Sequence, residues 1–562
     1  MKYKIILIFA IIILFSVILV GCVDNKDEKV FVSCISDEID AGKVLGGGIY
    51  KKGSEVTIKA KANEGYEFVG WNDGKNFVSV ETTYVFLAKS VTIKAVWRKL
   101  KYSIQIVVSD SAAGQAYSDK NIYEIGETAL LSSETNSGYV WDGWRDGDGN
   151  LIHSDSVYQF VVTKHRIIYA KWSIAVSNID DLRKIENASN LDYALVCDID
   201  LAQIEWDALC QKNDKAFTGT LDGRGFRIKN LHKNVVANQK VEVFTNVLSG
   251  LFGYVEGKII NLNIENFSIN TKGGRSYSGA IAAVLSSRGK IINCKSVGDI
   301  TVNDVSWGYA GAIAGSSYGL IKYCHSNATI KMTSTNGCVY GGGLVGEANF
   351  TSKISISSSI GYISAIGANA AFAGGLIGVA YDSDINNCYS SANTYAKSII
   401  KAKVGGFLGG FSDGAIGIVT INNSYSSGTV TAEGNSGVVC IGGFAGENKG
   451  AITNCFAIGN VTVKGSFESD NAINCGAFVG AISDNCATNN CYATYEQKID
   501  CLNNSNNIGV TNYYSETVSI DKITMTDFLC VRLGWQKFTN IADFIEDNNK
   551  IWIMKGMPTL YR

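Results

Sequence analysis

A five-residue glycine phrase returns eight times in the second half of this chain at nearly constant spacing, which restricts the fold more than any other feature of the sequence. It reads Gly-Gly-Leu-Val-Gly at 342–346, Gly-Gly-Leu-Ile-Gly at 374–378, Gly-Gly-Phe-Leu-Gly at 405–409 and Gly-Gly-Phe-Ala-Gly at 442–446. Weaker copies end at Gly253, Ala283, Gly315 and Gly480. The closing positions Gly253, Ala283, Gly315, Gly346, Gly378, Gly409, Gly446 and Gly480 are 30, 32, 31, 32, 31, 37 and 34 residues apart. A period near 31 is the mark of a repeat array, in which each unit buries its apolar face only against its neighbours. Glycine at one fixed place in each unit predicts either a left-handed backbone or a close approach to the next unit. The two long spacings predict loops on one face, with an insertion-bearing segment around Ala432–Val439.

About ten residues after each core comes a second phrase: Ile292-Asn-Cys294, Ile321-Lys-Tyr-Cys324, Ile385-Asn-Asn-Cys388, Ile421-Asn-Asn-Ser424, Ile452-Thr-Asn-Cys455 and Asn490-Cys491. Short alternating strands follow, and no helical period appears. The composition of 60 glycines and one proline suits tight β turns. Fifteen cysteines are few for a disulfide scaffold of 562 residues. Cys294, Cys324, Cys388, Cys455 and Cys491 share one repeat position, which predicts an inward ladder of small apolar side chains. Disulfides between neighbouring coils are the alternative.

This array resembles the GLUG-motif family of bacterial surface proteins and the N-terminal regions of IgA-protease-like polypeptides. The lead-in Tyr193-Ala-Leu-Val-Cys-Asp-Ile-Asp-Leu201 and Phe217-Thr-Gly-Thr-Leu-Asp-Gly-Arg-Gly225, and the ending Ile551-Trp-Ile-Met-Lys-Gly-Met-Pro, fit it as well. The resemblance implies an all-β protein with a right-handed parallel β-helix over 174–520 and a C-terminal cap over 521–562, with a short helix at 526–535.

A second repeat precedes the array. Gly53, Gly65, Tyr66, Gly70 and Trp71 recur 73 residues later as Gly126, Gly138, Tyr139, Gly143 and Trp144, and Ala95 and Trp97 recur as Ala170 and Trp172. These β-rich modules, 31–99 and 100–173, resemble the divergent internalin B-repeat, which implies small spacer or interaction domains. Fixed strand positions make Trp71, Trp97, Trp144 and Trp172 core residues rather than a ligand platform. Asp146-Gly-Asp-Gly-Asn150 opens like a calcium loop but has Leu151 and Val157 where such a loop needs Gly and Glu.

At the start, Lys2 and Lys4 precede an apolar run from Ile5 to Val20 that ends at Leu19-Val-Gly-Cys22. The segment resembles a bacterial lipobox, which implies a signal peptide over 1–21, a lipid on Cys22 and a tether over 22–30. The expected location is the outer side of the cell membrane, with the membrane as a partner through the anchor at Cys22. Loss of 1–21 removes two lysines and no acid, which takes the formal charge from −2 to −4. So weak a charge gives no case for nucleic acid.

No catalytic set can be assembled. His153, His165, His232 and His325 are scattered, and no His-Glu-x-x-His occurs. Gly341, Gly343 and Gly346 fit a dinucleotide fingerprint, but no helix is expected after them. Arg227-Ile-Lys229 resembles a polygalacturonase tripeptide whose companion motifs are missing. No cofactor or metal is expected. The reading is a non-catalytic surface scaffold for a host protein or glycan. Its alternatives are a carbohydrate-active enzyme working in the β-helix groove and a purely structural stalk.

Overall fold

The computed structural model describes residues 28–202, 204–236, 246–411, 418–434, 437–465, 473–483, 486–494 and 498–501, with three short strands beyond them. Cys22 and the segment 526–535 lie outside the described residues. The chain divides into two units, residues 1–136 with 141–172, and residues 137–140 with 173–562.

The first unit contains the two modules, and they have the same topology. In the first, Lys29–Ser36, Gly48–Lys51, Tyr66–Asn72, Phe77–Ser79 and Val91–Lys99 form a five-stranded sheet, while Gly42–Leu45, Glu55–Ala62 and Thr83–Leu87 form a three-stranded one. The alternating pattern of Glu55–Ala62 turns Val56, Ile58 and Ala60 inward, onto Trp71 and Trp97. Phe68 meets both indoles edge-on at 5.3 and 5.4 Å, and Trp141 repeats this against Trp144 and Trp172 at 5.0 and 5.1 Å. All four repeated tryptophans are buried, as core residues should be. Gly53 and Gly65 have φ of +79° and +87°, and their copies Gly126 and Gly138 have +84° and +85°. These turns need glycine for its left-handed backbone. Asp146 Oδ1 accepts the N–H groups of Asp148 and Asn150 at 3.0 and 2.8 Å, which makes the calcium-like segment a side-chain-closed turn.

The second unit is a parallel β-solenoid of about nine turns. Each full coil contributes strands to four stacked sheets, here A to D. One coil runs Val345–Ala348 (A), Lys353–Ser355 (B), Ser358–Gly367 (C) and Ala370–Gly374 (D). Sheet B turns one isoleucine per coil inward, Ile259, Ile291, Ile321, Ile354, Ile385, Ile421 and Ile452, all fully buried. Each is worth roughly 1.5–3 kcal/mol relative to exposure. Eight glycine phrases led to eight expected units. A further coil, with Thr220–Asp222 and Arg227–Lys229, precedes the first phrase and stacks without one. The start of the core is closed by the helix Ile179–Lys184, whose Leu182 joins the core and whose first turn is capped by Asn178 accepting from Asp181 N at 3.0 Å.

The glycine phrase forms the corner from D to A, and close approach alone explains it. None of Gly253, Gly315, Gly346, Gly378, Gly409, Gly446 and Gly480 has a left-handed φ. A methyl group on Gly346 would lie 2.5 Å from Ala310 N, and one on Gly480 2.5 Å from Ile441 N. On Gly409 it would lie 2.4 Å from Gly378 O. The last glycine of each phrase thus rests on the backbone of the coil before. The first glycine faces it from the other side, since a methyl on Gly374 would meet Gly409 N at 2.5 Å.

The regularly repeated left-handed residues of the solenoid lie elsewhere, at the B-to-C corner. Asn261, Asn293, Tyr323, Ile356, Asn387, Asn423, Asn454 and Asn490 have φ between +51° and +58°. Asparagine tolerates this conformation, and here it also stacks. Asn293 donates to Asn261 at 2.7 Å, Asn454 to Asn423 at 3.1 Å, and Asn490 to Asn454 at 2.7 Å. The cysteines come immediately after. Cys294, Cys324, Cys388, Cys455 and Cys491 are buried free thiols, each with Sγ 3.2–3.4 Å from the carbonyl oxygen two residues before it. The expected inward ladder is present. Ser357 and Ser424 fill the same place and donate to the equivalent carbonyl at 2.8 Å.

Only one of the six extra residues in the first long spacing falls within 432–439, where Ala432 and Val439 are buried strand residues, since Lys397 pairs with Glu433 and Lys401 with Val438. The first insertion lies between Phe411 and Thr420, where eight residues separate sheets A and B against four after Ala348 and three after Ala380.

Candidate binding face on the solenoid

Outward side chains of sheet B provide the most regular polar feature of the solenoid. Its strands Lys258–Ile260, Lys290–Ile292, Leu320–Lys322 and Lys353–Ser355 belong to four successive coils. Their middle residues point into the core. The flanking positions hold one lysine per coil, Lys258, Lys290, Lys322 and Lys353, and no acid. Lys258 and Lys290 are register partners, so two like charges stand directly opposite across one strand spacing, an unfavourable arrangement. Glu256, in the turn leading into the sheet, bonds Arg288 at 3.3 Å. Lys322 Nζ lies 4.8 Å from the centre of the Tyr323 ring.

At the adjoining B-to-C corner, Asp222, Arg224, Gly225, Asn261, Asn263, Asn293 and Lys295 line a cleft of about 520 Å³. The turn after Thr220–Asp222 sets it: Asp222 Oδ1 accepts Arg224 N at 2.8 Å and Asn261 Nδ2 at 3.0 Å, and Asn263 Nδ2 donates to Gly225 O at 2.9 Å. The cleft therefore presents two cations, one carboxylate and three amides, and no ring.

The remaining charged groups serve packing. Asp198 binds Arg227 Nη2 at 2.7 Å and Lys229 Nζ at 2.9 Å, and these cations, with the Arg227 N–H, hold its carboxyl well below the usual carboxylate range. The Arg227-Ile-Lys229 tripeptide is thus part of an ion-pair network. Between sheets A and D lies a second apolar cluster outside the main core. Tyr277, Tyr309 and Tyr340 stack there at 5.1 Å. Lys403, 2% exposed, bonds Glu447 at 2.5 Å and Phe411 O at 3.0 Å. Burial pushes the Glu347 carboxyl above its ordinary range, and Ser316 Oγ donates to it at 2.8 Å. Tyr309 and Tyr340, 4% and 8% exposed, cover this region.

The four histidines stay apart. His153 is 3.7 Å from Asp155, His165 bonds Ser103 Oγ at 2.9 Å, and His232 is 3.8 Å from Glu205. His325 Nδ1 lies 2.7 Å from Ser358 Oγ on the next coil, but Ser358 is 2% exposed and offers no nucleophile to a substrate. At the fingerprint glycines, Gly343 N bonds Gly375 O at 3.1 Å and Leu344 N bonds Leu376 O at 2.9 Å, so these donors serve the coil stack and not a phosphate. Among the described residues no group of three His, Cys, Asp or Glu side chains could hold a metal ion. The lysine row, the cleft and the asparagine row were all missed in the sequence.

Among solved structures, a Bacteroides ovatus chain assigned as an immunoglobulin A1 protease is similar at 20% identity and a TM-score of 0.35, covering 69% of this chain and 92% of that one. A structure named IgA1 protease is similar at 16% identity and a TM-score of 0.33, covering 72% and 30%. Likenesses at this level bring no activity to this chain. Halomucin of Haloquadratum walsbyi is 32% identical over 152 residues, and the match spans 24% of this chain and 2% of halomucin. Residues 37–101 and 104–175 each match the Divergent InlB B-repeat domain family, so both modules carry the internalin B-type repeat that their aromatic pattern resembles.

Proposed function

We propose that this chain is a surface protein held to the membrane by a lipid on Cys22, with two internalin-type modules as spacers and a solenoid that binds its ligand without cleaving it. The observation that supports binding is the lysine row: four successive coils repeat one outward charge that packing does not require and that like-charge repulsion opposes. A host protein or a glycan is the class of partner this surface suits. The candidate catalytic groups are paired, buried or far apart, which supports binding over turnover.

The test has two arms. Cys22→Ser should abolish acyl labelling and leave the precursor uncleaved, and persistent labelling would refute the anchor. The purified mature chain should adhere to cells or matrix while leaving a polysaccharide panel at its original length. Reproducible cleavage would instead establish the carbohydrate-active reading, and a chain that neither adheres nor cleaves would leave the stalk.

A further inference from the structure

We infer that the outward face of sheet B over these four coils is a docking site for an acidic polysaccharide, which lies along the stacking axis with one end in the cleft of Asp222, Arg224 and Lys295. The inference rests on the binding role proposed above and names the ligand of that same solenoid.

Three observations carry it. First, the charges are spaced by the fold itself. Successive coils are one strand spacing apart, so Lys258, Lys290, Lys322 and Lys353 lie in a band of about 14 Å parallel to the solenoid axis, with Lys322 two residues along its strand from the other three. A linear polyanion laid on that band meets a cation at every coil. Second, most of the row is not neutralised within the protein. Lys258, Lys290 and Lys353 make no ion pair among the described residues; the neighbouring Glu256 and Glu265 bond Arg288 and Arg227, and Asp384, in register with Lys353 on the next coil, marks the far end of the row. The whole chain has a net charge of −2, so this is a local concentration of positive charge and not a generally basic surface.

Third, the cleft at the end of the row has the groups that hydroxylated rings need. Asn293 Nδ2 is committed to Asn261, and the amide row stops there because the same corner on the next coil holds Tyr323. Asn293 Oδ1 accepts no hydrogen bond among the described residues, and Asn293 lines the same cleft as Arg224 and Lys295. Amide and carboxylate oxygens accept from sugar hydroxyls, while the two cations suit a uronate or a sulfate. Single-stranded nucleic acid is held largely by stacking on aromatic side chains, and the cleft has none.

The experiment titrates the full mature chain with polygalacturonate, heparin, dextran and duplex DNA at low and moderate salt. Polygalacturonate or heparin should bind, with affinity falling steeply as salt rises, and dextran should not. Preference for the first identifies carboxylates as the recognised groups, preference for the second sulfates, and either supports the site. The triple variant Lys258→Gln/Lys290→Gln/Lys353→Gln should weaken this binding at least about tenfold, the size expected for losing three exposed charge contacts. Lys59→Gln/Lys61→Gln/Lys94→Gln, on exposed module strands, should leave it unchanged. Melting separates a binding role from a structural one. Relief of the Lys258–Lys290 repulsion should keep the sheet B variant as stable as the parent or make it slightly more so, whereas structural lysines would lower its melting temperature. The site is refuted by absence of acidic polysaccharide binding, by equal affinity of the triple variant, or by duplex DNA binding as tightly. If no acidic polysaccharide binds yet the chain still adheres to cells, the ligand class fails and the scaffold reading stands. If the polysaccharide is shortened during the titration, the scaffold reading fails.

Discussion

Glycine does different work in the two regions. At the repeated turns of the modules it supplies a backbone conformation: Gly138 has φ +85° and open space where a side chain would point. In the solenoid it supplies thinness: Gly409 has an ordinary backbone, yet a methyl group would lie 2.4 Å from Gly378 O. The solenoid still needs left-handed corners, and it assigns most of them to asparagine, which adds a hydrogen bond that glycine lacks. A glycine in a repeat is therefore not by itself a sign of a turn. Whether the repeated constraint is an angle or a distance depends on what the backbone is stacked against.

The sharpest way to break this contrast is the same substitution in both places. Gly409→Ala should cost about 3 kcal/mol or more, because neighbouring backbone has to move. Hydrogen exchange should rise in the coils on either side and stay unchanged in the modules. Gly138→Ala should cost only about 1 kcal/mol, the strain of the left-handed conformation. Equal losses would erase the distinction. Next in size, Asn423→Ala should destabilise the solenoid by about 1–2 kcal/mol, through its φ of +51° and the loss of bonds to Asn387 and Asn454. Asn423→Gly should cost clearly less in chemical denaturation, and a glycine variant as damaging as alanine would show that the ladder outweighs the angle. The smallest effect is expected at Cys388→Ser, below about 1 kcal/mol in thermal melting, because Ser357 and Ser424 already occupy the position on the coils to either side. A large loss there would mean that the sulfur itself is required.

Fold was largely legible from the residues. Eight glycine phrases with a common period announced a stacked array, and the two aromatic patterns announced a duplicated module, since both signals lie at fixed offsets along the chain. The binding face was not legible, for a geometric reason. The sheet B strands Lys258–Ile260 and Leu320–Lys322 follow two-residue turns, after Val255 and Ser317, whereas Lys290–Ile292 and Lys353–Ser355 follow four-residue turns, after Leu285 and Ala348. The offset of the strand from the glycine phrase therefore alternates from coil to coil, and the outward positions come into register only when the turns are seen. The asparagine row was in plain view within Ile385-Asn-Asn-Cys388 and its relatives, but the cysteine beside it carried the more familiar signal. The helix Ile179–Lys184 is too short to show a period, although Asn178 three residues before Asp181 is a cap signal.

The asparagine row also has a direction. In every one of its bonds the later coil donates its amide and the earlier coil accepts, from Asn490 through Asn454 and Asn423 to Asn387, and from Asn293 through Asn261 to the Asp222 carboxylate. A coil already in place thus offers a vacant oxygen to the next stretch of chain, and Asp222 offers the first. For a polypeptide delivered amino end first, the coils that bring Asn261, Asn293, Asn423, Asn454 and Asn490 each find an acceptor waiting, while the coils of Tyr323, Ile356 and Asn387 interrupt the row. The reverse order would present a donor at each edge instead, so the polarity of these bonds makes the two ends of each run chemically different.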